Sequence, residues 1–391
     1  MFKIDEIENG VCASKGFFAD GVSAGLKSKG AKDMAFIYSE IECEIAAVFT
    51  TNKMTAAPIR HFRQKGLFKT NFVLINAKNA NAMTGKAGIE DIDEILSHCK
   101  NVTNPVMSST GVIGKRLPKQ KIIDGMKFFD FSVKNPHAAA SAIMTTDGFS
   151  KEMALKVTLE DGSSFNIGAM AKGAGMINPA MATMLCFITT DADVSHSQMQ
   201  EMLELHSKTT FNAASVDGDT STNDTVMLLS NGLSGVYEKE AFSQALHKIM
   251  LFLAQEMVRD GEGATKLVTY KVTGAKDDKE AEKVAKALSD SLLVKTALYG
   301  EDPNWGRIAS TVGAAGVAAD EATLSISFND LCVYDKGNLL FDDAMEEKAS
   351  QVMKLDRFTI FCDLGIAEGT FTSFGCDLGY EYVKINADYR T

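Results

Sequence analysis

The chain has little of what marks secreted, metal-bound or membrane-embedded proteins. Its seven cysteines are an odd number among 391 residues and form no CxxC pair, which argues against a disulfide framework and a cysteine-ligated zinc site. The six histidines stand apart, with no HxxxH or HxE spacing, so no metal site is expected. The longest apolar run, Ile249 to Ala254, is far below the ~18–20 residues that cross a bilayer. The opening Met1-Phe2-Lys3-Ile4-Asp5-Glu6 lacks the apolar core of a secretion signal, and the expected compartment is the cytoplasm. Positive charge is short as well: 40 Lys and Arg face 51 Asp and Glu, for a net charge of −11. Such a surface repels phosphate backbones and the lysines form no patch, so neither a nucleic acid nor a membrane is an expected partner. The remaining composition is ordinary, and the length suffices for two or three cores of about 100–200 residues each.

The first half reads as short strands between glycine and polar turns. Met34 to Phe49 is rich in β formers, and Phe72-Val73-Leu74-Ile75 is an apolar run of the kind buried in a sheet. Leu155, Val157 and Leu159 alternate before Asp161-Gly162, and Phe165, Ile167 and Ala169 alternate after it, a strong hairpin signal. The middle is more helical: Phe242, Leu246, Ile249, Leu253 and Met257 keep a 3.6 period from Lys239 to Arg259, with Gly261 as the stop. Val268, Tyr270 and Val272 then alternate as a strand, and a second helix buries Val284, Ala285 and Leu288. A domain boundary is expected near residue 275, dividing a catalytic domain 1–275 from a smaller domain 276–391. The tail returns to strands, with Phe358, Ile360, Cys362 and Leu364 alternating and Phe371 to Ile385 again rich in β formers. Strands mixed with separate helices predict an α/β protein built as α+β layers rather than a strict βαβ repeat.

The most unusual stretch is Lys172-Gly173-Ala174-Gly175-Met176-Ile177-Asn178-Pro179-Ala180-Met181-Ala182-Thr183-Met184-Leu185. Its glycines and proline predict a tightly turned loop that runs into an apolar strand. Read alone, Thr183 either starts that strand, for which threonine has the propensity, or is a self-cleaving nucleophile. In the second case its hydroxyl attacks the Ala182 carbonyl, the peptide shifts to an ester, and water releases Thr183 as a new N-terminus. The free α-amine, with a pKa of about 8, could then act as base for its own hydroxyl.

That segment resembles the cleavage motif of the ArgJ family, the ornithine acetyltransferases of arginine biosynthesis. The resemblance extends along the chain in order, through Gly16-Phe17 to Ala24-Gly25-Leu26-Lys27, Ser108-Ser109-Thr110-Gly111-Val112-Ile113-Gly114 and Met144-Thr145-Thr146-Asp147. It continues in Ser215-Val216-Asp217-Gly218-Asp219-Thr220-Ser221-Thr222-Asn223-Asp224-Thr225 and Asp260-Gly261-Glu262-Gly263-Ala264-Thr265-Lys266. Gly300-Glu301-Asp302-Pro303-Asn304-Trp305-Gly306-Arg307-Ile308 and the final Asn386-Ala387-Asp388-Tyr389-Arg390-Thr391 complete it.

The resemblance implies a layered fold similar to N-terminal-nucleophile hydrolases, differently connected, with a smaller C-terminal α+β domain. It implies cleavage between Ala182 and Thr183 into chains 1–182 and 183–391, assembled as two of each. Thr183 would carry the acetyl group from N2-acetyl-L-ornithine to L-glutamate, which makes the kinetics ping-pong. Thr110 and Gly111 would be the oxyanion donors. Lys172 would meet the substrate carboxylate, with Thr146, Glu262, Asn386 and Thr391 as further contacts. No bound cofactor is implied, and acetyl-CoA as a co-substrate stays open. Read without the family, Gly111 is equally a turn glycine, Lys172 a solvated loop lysine and Glu262 a solvated acid at a helix end. Asp217, Asp219 and Asp224 lack the calcium-loop spacing and suit turns. Trp305 reads as a packing anchor, and the cysteines read as small core residues.

Some positions depart from the family pattern. Asn76-Ala77-Lys78-Asn79-Ala80-Asn81-Ala82 stands where the family commonly has Asn-Ser-Gly-Asn-Ala-Asn-Ala, so Lys78 replaces a glycine able to adopt φ > 0. Ala174 replaces a usual serine, and Ala180 a common asparagine. Two other functions remain compatible with the sequence: a self-cleaving amidase or aminopeptidase on a related fold, and an uncleaved binding protein without catalysis.

Overall fold

The computed structural model describes residues 1–178 and 184–388. Nine strands form the first sheet: β1 (Phe2–Ile7), β2 (Phe17–Val22), β3 (Met34–Phe49), β4 (Lys69–Asn76), β5 (Val106–Ser109), β6 (Lys151–Leu159), β7 (Ser164–Lys172), β8 (Leu185–Thr190) and β9 (Thr225–Ser230). Their order is β1-β6-β7-β8-β9-β3-β4-β5, with β2 paired to β3. A second sheet holds β10 (Leu267–Ala275), β11 (Ser325–Phe328), β12 (Leu331–Asp335), β13 (Asn338–Leu339), β14 (Arg357–Asp363) and β15 (Gly369–Cys376). Its order is β13-β12-β11-β14-β10-β15.

Helices α1 (Ala57–Gln64), α2 (Ala87–Ser97), α3 (Lys119–Gly125), α4 (Pro136–Ile143), α5 (His196–Ser207) and α6 (Lys239–Arg259) accompany the first sheet. Helices α7 (Asp278–Asp290), α8 (Leu292–Tyr299), α9 (Trp305–Ala314) and α10 (Asp343–Met353) lie with the second, and α11 (Tyr380–Asp388) follows its last strand.

The central strands of the first sheet are buried on both faces, and their side chains alternate between two cores. Cys186, Ile188, Val226 and Leu228 point to the core shared with α5 and α6. Leu185, Phe187, Met227 and Leu229 point to the opposite core, where α4 packs. Helix α6 forms as its period predicts: Phe242, Leu246, Ile249, Leu253 and Met257 are all buried, and Glu238 caps its first turn through the Glu240 and Ala241 N–H groups. The hairpin at Asp161-Gly162 joins β6 to β7 in antiparallel register, with Gly162 at φ +83°.

Strand β10 lies in the second sheet, parallel to β14 and antiparallel to β15, so the change of sheet falls between Ser230 and Leu267. Two expectations need correction. The β-rich reading of Phe371 to Ile385 holds only to Cys376, because Tyr380–Asp388 is helical. The first half also carries four helices among its strands.

Register positions the site. Lys172, the last residue of β7, pairs with Leu185, the first residue of β8, and Leu185 pairs in turn with Thr225 at the start of β9. The chain therefore leaves the sheet after Lys172 and is back in it at Leu185 at one point, beside the loop that precedes β9.

Candidate active site

At that point lies a cavity of about 160 Å³, lined by Thr110, Gly111, Thr146, Lys172, Glu262 and Asn386 among others. These are the six expected site residues that fall within the described residues. They come from separate segments: the turn after β5, the loop after α4, the end of β7, the turn after α6, and α11. The expected nucleophile Thr183, its neighbour Ala182, the substituted Ala180 and the terminal Thr391 lie outside the described residues.

The turn after β5 is held by a polar mesh. The Thr110 N–H donates to the Asn76 carbonyl at 3.0 Å, and the Ser109 hydroxyl donates to Asn76 Oδ1 at 2.6 Å. Asn223 Nδ2 donates to the Ser109 and Ala80 carbonyls at 2.8 and 2.7 Å, tying this turn to the loop before β9. Gly111 adopts φ +129°, and a Cβ there would lie 2.3 Å from the Lys78 carbonyl carbon and 2.6 Å from the Asn79 nitrogen. The glycine is thus required twice, by its backbone conformation and by the Lys78–Asn79 backbone packed against it. Among the described residues its N–H has no backbone or side-chain acceptor, which leaves it available to a ligand.

Lys78 takes up the left-handed conformation that the family glycine would have supplied, at φ +71°. That costs a residue with a Cβ about 1–2 kcal/mol, while glycine loses roughly 0.5–1 kcal/mol more entropy on folding. Lys78→Gly is therefore expected to stabilise the protein by about 0.5–1 kcal/mol in chemical denaturation.

Lys172 is no solvated loop lysine: it is 2% exposed, and its Nζ lies 3.5 Å from Thr110 Oγ1. Burial pushes its ammonium below the usual lysine range, opposed most by Asp147 and reinforced by Lys151. Glu262, 8% exposed, is not a solvated acid either. Its N–H donates to the Ala174 carbonyl at 2.8 Å. A Cβ on Gly175 would come within 2.5 Å of its carboxylate, so Gly175 leaves the room that Glu262 occupies. Asn386 Nδ2 donates to Glu262 Oε2 at 2.7 Å.

Sequence reasoning missed several groups. Asp217, read as a turn residue, accepts the Met176 and Ile177 N–H groups at 2.6 and 2.9 Å and the Tyr382 hydroxyl at 3.2 Å. Burial raises its carboxyl against the pull of its backbone donors. Asp224 accepts the Met184 N–H at 3.1 Å, and burial raises it well above the usual carboxylate range. The two aspartates anchor the described flanks of the expected cleavage segment. Lys151 and its partners Asp147 and Asp260 form a buried charge cluster behind Thr146 and Lys172. The repeated Asp and Thr of 215–225 could have marked the first two as more than turns; Lys151 has no local signal.

An oxyanion-type turn, a buried cation and a carboxylate–amide pair converging on one cavity suit acyl transfer between amino acids. Comparison with known proteins agrees. The ArgJ family profile matches residues 18–391. The arginine biosynthesis bifunctional protein ArgJ of Wolinella succinogenes is 62% identical, with 100% of each chain covered. Its namesake in Synechocystis sp. is 42% identical over 98% of each chain. Among solved structures, the arginine biosynthesis bifunctional protein argJ from Bacillus halodurans is 40% identical with a TM-score of 0.50, covering 52% of this chain and 98% of its own. With such identity along its whole length, the chain belongs to the ArgJ family.

Proposed function

We propose that this ArgJ enzyme moves an acetyl group from N2-acetyl-L-ornithine to L-glutamate through an acetyl-threonine intermediate. The observation that carries the reading is the meeting of Thr110, Gly111, Thr146, Lys172, Glu262 and Asn386 in one cavity, at the ends of β7 and β8 where Lys172 pairs with Leu185. Self-cleavage between Ala182 and Thr183 frees the Thr183 α-amine, which takes the proton as Oγ attacks the acetyl carbonyl. The Gly111 N–H and the Thr110 hydroxyl stabilise the tetrahedral oxyanion. The C–N bond then breaks, the proton passes to the departing ornithine nitrogen, and the acetyl ester remains on Thr183. Glutamate attacks that ester by the reverse sequence and leaves as N-acetylglutamate. Donor and acceptor share an α-carboxylate, which Lys172 receives, while Thr146, Glu262, Asn386 and Thr391 hold the rest of each substrate.

The mature protein is proposed to keep chains 1–182 and 183–391 together, two of each, in the cytoplasm. The position of β8 between β7 and β9 supports retention of the second chain. The solved Bacillus halodurans chain, nearly all of which aligns with 52% of this one, supports a precursor divided near its middle. The relatives' printed names call them bifunctional, which supports acetyl-CoA as a second acetyl donor.

Intact-mass analysis together with initial rates at varied donor and acceptor tests the proposal. Two fragments and parallel double-reciprocal lines are expected. Acetate release without need of glutamate would replace transfer by the amidase reading, and an uncleaved, inactive chain would leave only a binding protein. The C-terminal helix offers a separate check. No residue of α11 is buried, yet it brings Tyr382 and Asn386 to the cavity. Ending the chain after Gly379 is expected to change stability by only about 1 kcal/mol while lowering kcat/KM about 10²-fold, from two lost contacts of roughly 1–2 kcal/mol each. A thermal melt beside the transfer assay reads both.

A further inference from the structure

Behind the cavity wall sits an ammonium between two carboxylates. Lys151, 1% exposed, donates to Asp147 Oδ1 at 2.9 Å, to Asp260 Oδ2 at 2.6 Å and to the Phe149 carbonyl at 3.2 Å. All three of its protons are thereby placed. Asp147 uses its remaining capacity on backbone: Oδ1 also accepts the Gly173 N–H at 2.6 Å, and Oδ2 accepts the Thr145 N–H at 2.9 Å. Asp260 accepts the Gly148 N–H at 3.0 and 3.1 Å. The cluster thus joins three segments, each of which carries a cavity residue one or two positions away: Thr146, Lys172 and Glu262.

A purely mechanical clamp would not need this charge arrangement, since burying ions costs several kcal/mol each unless they are paired. Lys172 must be cationic to receive a carboxylate, yet it is buried beside a second lysine. The charged groups facing it are Asp147 and Lys151 from the cluster, Asp224 before β9, Glu262 after α6, and Lys27, which also feels Asp147. Among these carboxylates Asp147 acts most strongly on Lys172. It is also firmly ionised: burial works to raise it, but Lys172, Lys151 and the Thr145 N–H outweigh burial and hold it at about 2.

We propose that Asp147 is a positioning residue for acetyl transfer, clamping the segments that carry Thr146, Lys172 and Glu262 and supplying the fixed negative charge under which Lys172 receives the substrate carboxylate. This rests on the acetyl-transfer reading for its purpose, but the Asp147–Lys172 coupling can be measured without turnover.

Competitive labelling with acetic anhydride across pH, read by mass spectrometry, gives the midpoint at which Lys172 loses its proton. In the parent protein Lys172 is expected to remain protonated at neutral pH. Asp147→Asn, which preserves shape, is expected to move the midpoint down by about 1–3 pH units. Lys151→Met removes the competing cation and should move it up. A clamp with no electrostatic role would shift neither midpoint, or both in the same direction, and either result overturns the proposal; so does a parent Lys172 that is already neutral at pH 7. If Asp147→Asn does not fold, the upward shift in Lys151→Met decides alone, and if neither folds the parent midpoint does. The alkaline limb of kcat/KM should follow the labelling midpoints. A parent enzyme that transfers no acetyl group would sink the functional reading while leaving the labelling result to stand.

Discussion

Thr183→Ala is expected to yield a single chain of full length and to lower acetyl transfer by about 10⁴–10⁶-fold, the scale on which removal of a covalent nucleophile is felt. The variant loses the oxygen proposed to attack and, because the proposed cleavage stops, the α-amine proposed as its base. Its fold should be preserved, because the described flanks are held by groups that do not involve the hydroxyl. Asp217 grips Met176 and Ile177, Asp224 grips Met184, and Lys172 pairs with Leu185. Stability should therefore stay within about 1 kcal/mol of the parent. Intact mass, a thermal melt and the transfer assay read the three consequences separately. A cleaved Thr183→Ala chain would place the scissile bond elsewhere, and an uncleaved chain with undiminished turnover would move the nucleophile to another residue.

Elements with strong local periodicity were legible in the sequence. The hairpin around Asp161-Gly162 and helix Lys239–Arg259 follow from alternation and from a 3.6 period, because each buries a face its own residues define. The sheet a strand joins is not local information. Val268, Tyr270 and Val272 alternate identically whichever sheet takes them, and the choice is made by pairing with Phe358–Cys362 and Phe371–Gly375, roughly 90 residues or more along the chain. Tyr380 to Ile385 carries the β formers Tyr380, Tyr382, Val383 and Ile385, which read locally as a strand. In the structure it is a helix whose Tyr382 and Asn386, four apart, both reach the cavity. The candidate site was legible chiefly through the family resemblance. Chemistry alone made Lys172 a surface cation, since the carboxylates and the sheet that bury it come from distant segments. Asp147 and Lys151 are four residues apart, but Asp260, which completes their cluster, is 109 residues from Lys151.

Gly111→Ala is expected to lower kcat by about 10²–10³-fold with little change in KM, the usual scale for loss of one oxyanion donor. At φ +129° the added methyl would fall 2.3 Å from the Lys78 carbonyl carbon, and both the conformation and the collision push the backbone away from its present path. The Gly111 N–H, the group available to a developing oxyanion, turns with it. The proposed substrate contacts at Lys172, Glu262 and Asn386 belong to other segments and should hold, so the loss appears in the chemical step rather than in binding. Gly114, three residues on, supplies the control. It too has a positive φ, +83°, but a Cβ there meets nothing within 4 Å. Gly114→Ala should therefore cost about 1–2 kcal/mol of stability and leave kcat nearly unchanged. Steady-state kinetics of the two variants separate a glycine needed for its conformation from one needed to aim a donor. If both lowered kcat equally, the turn after β5 would be acting through general disorder, and the oxyanion assignment of Thr110 and Gly111 would lose its footing.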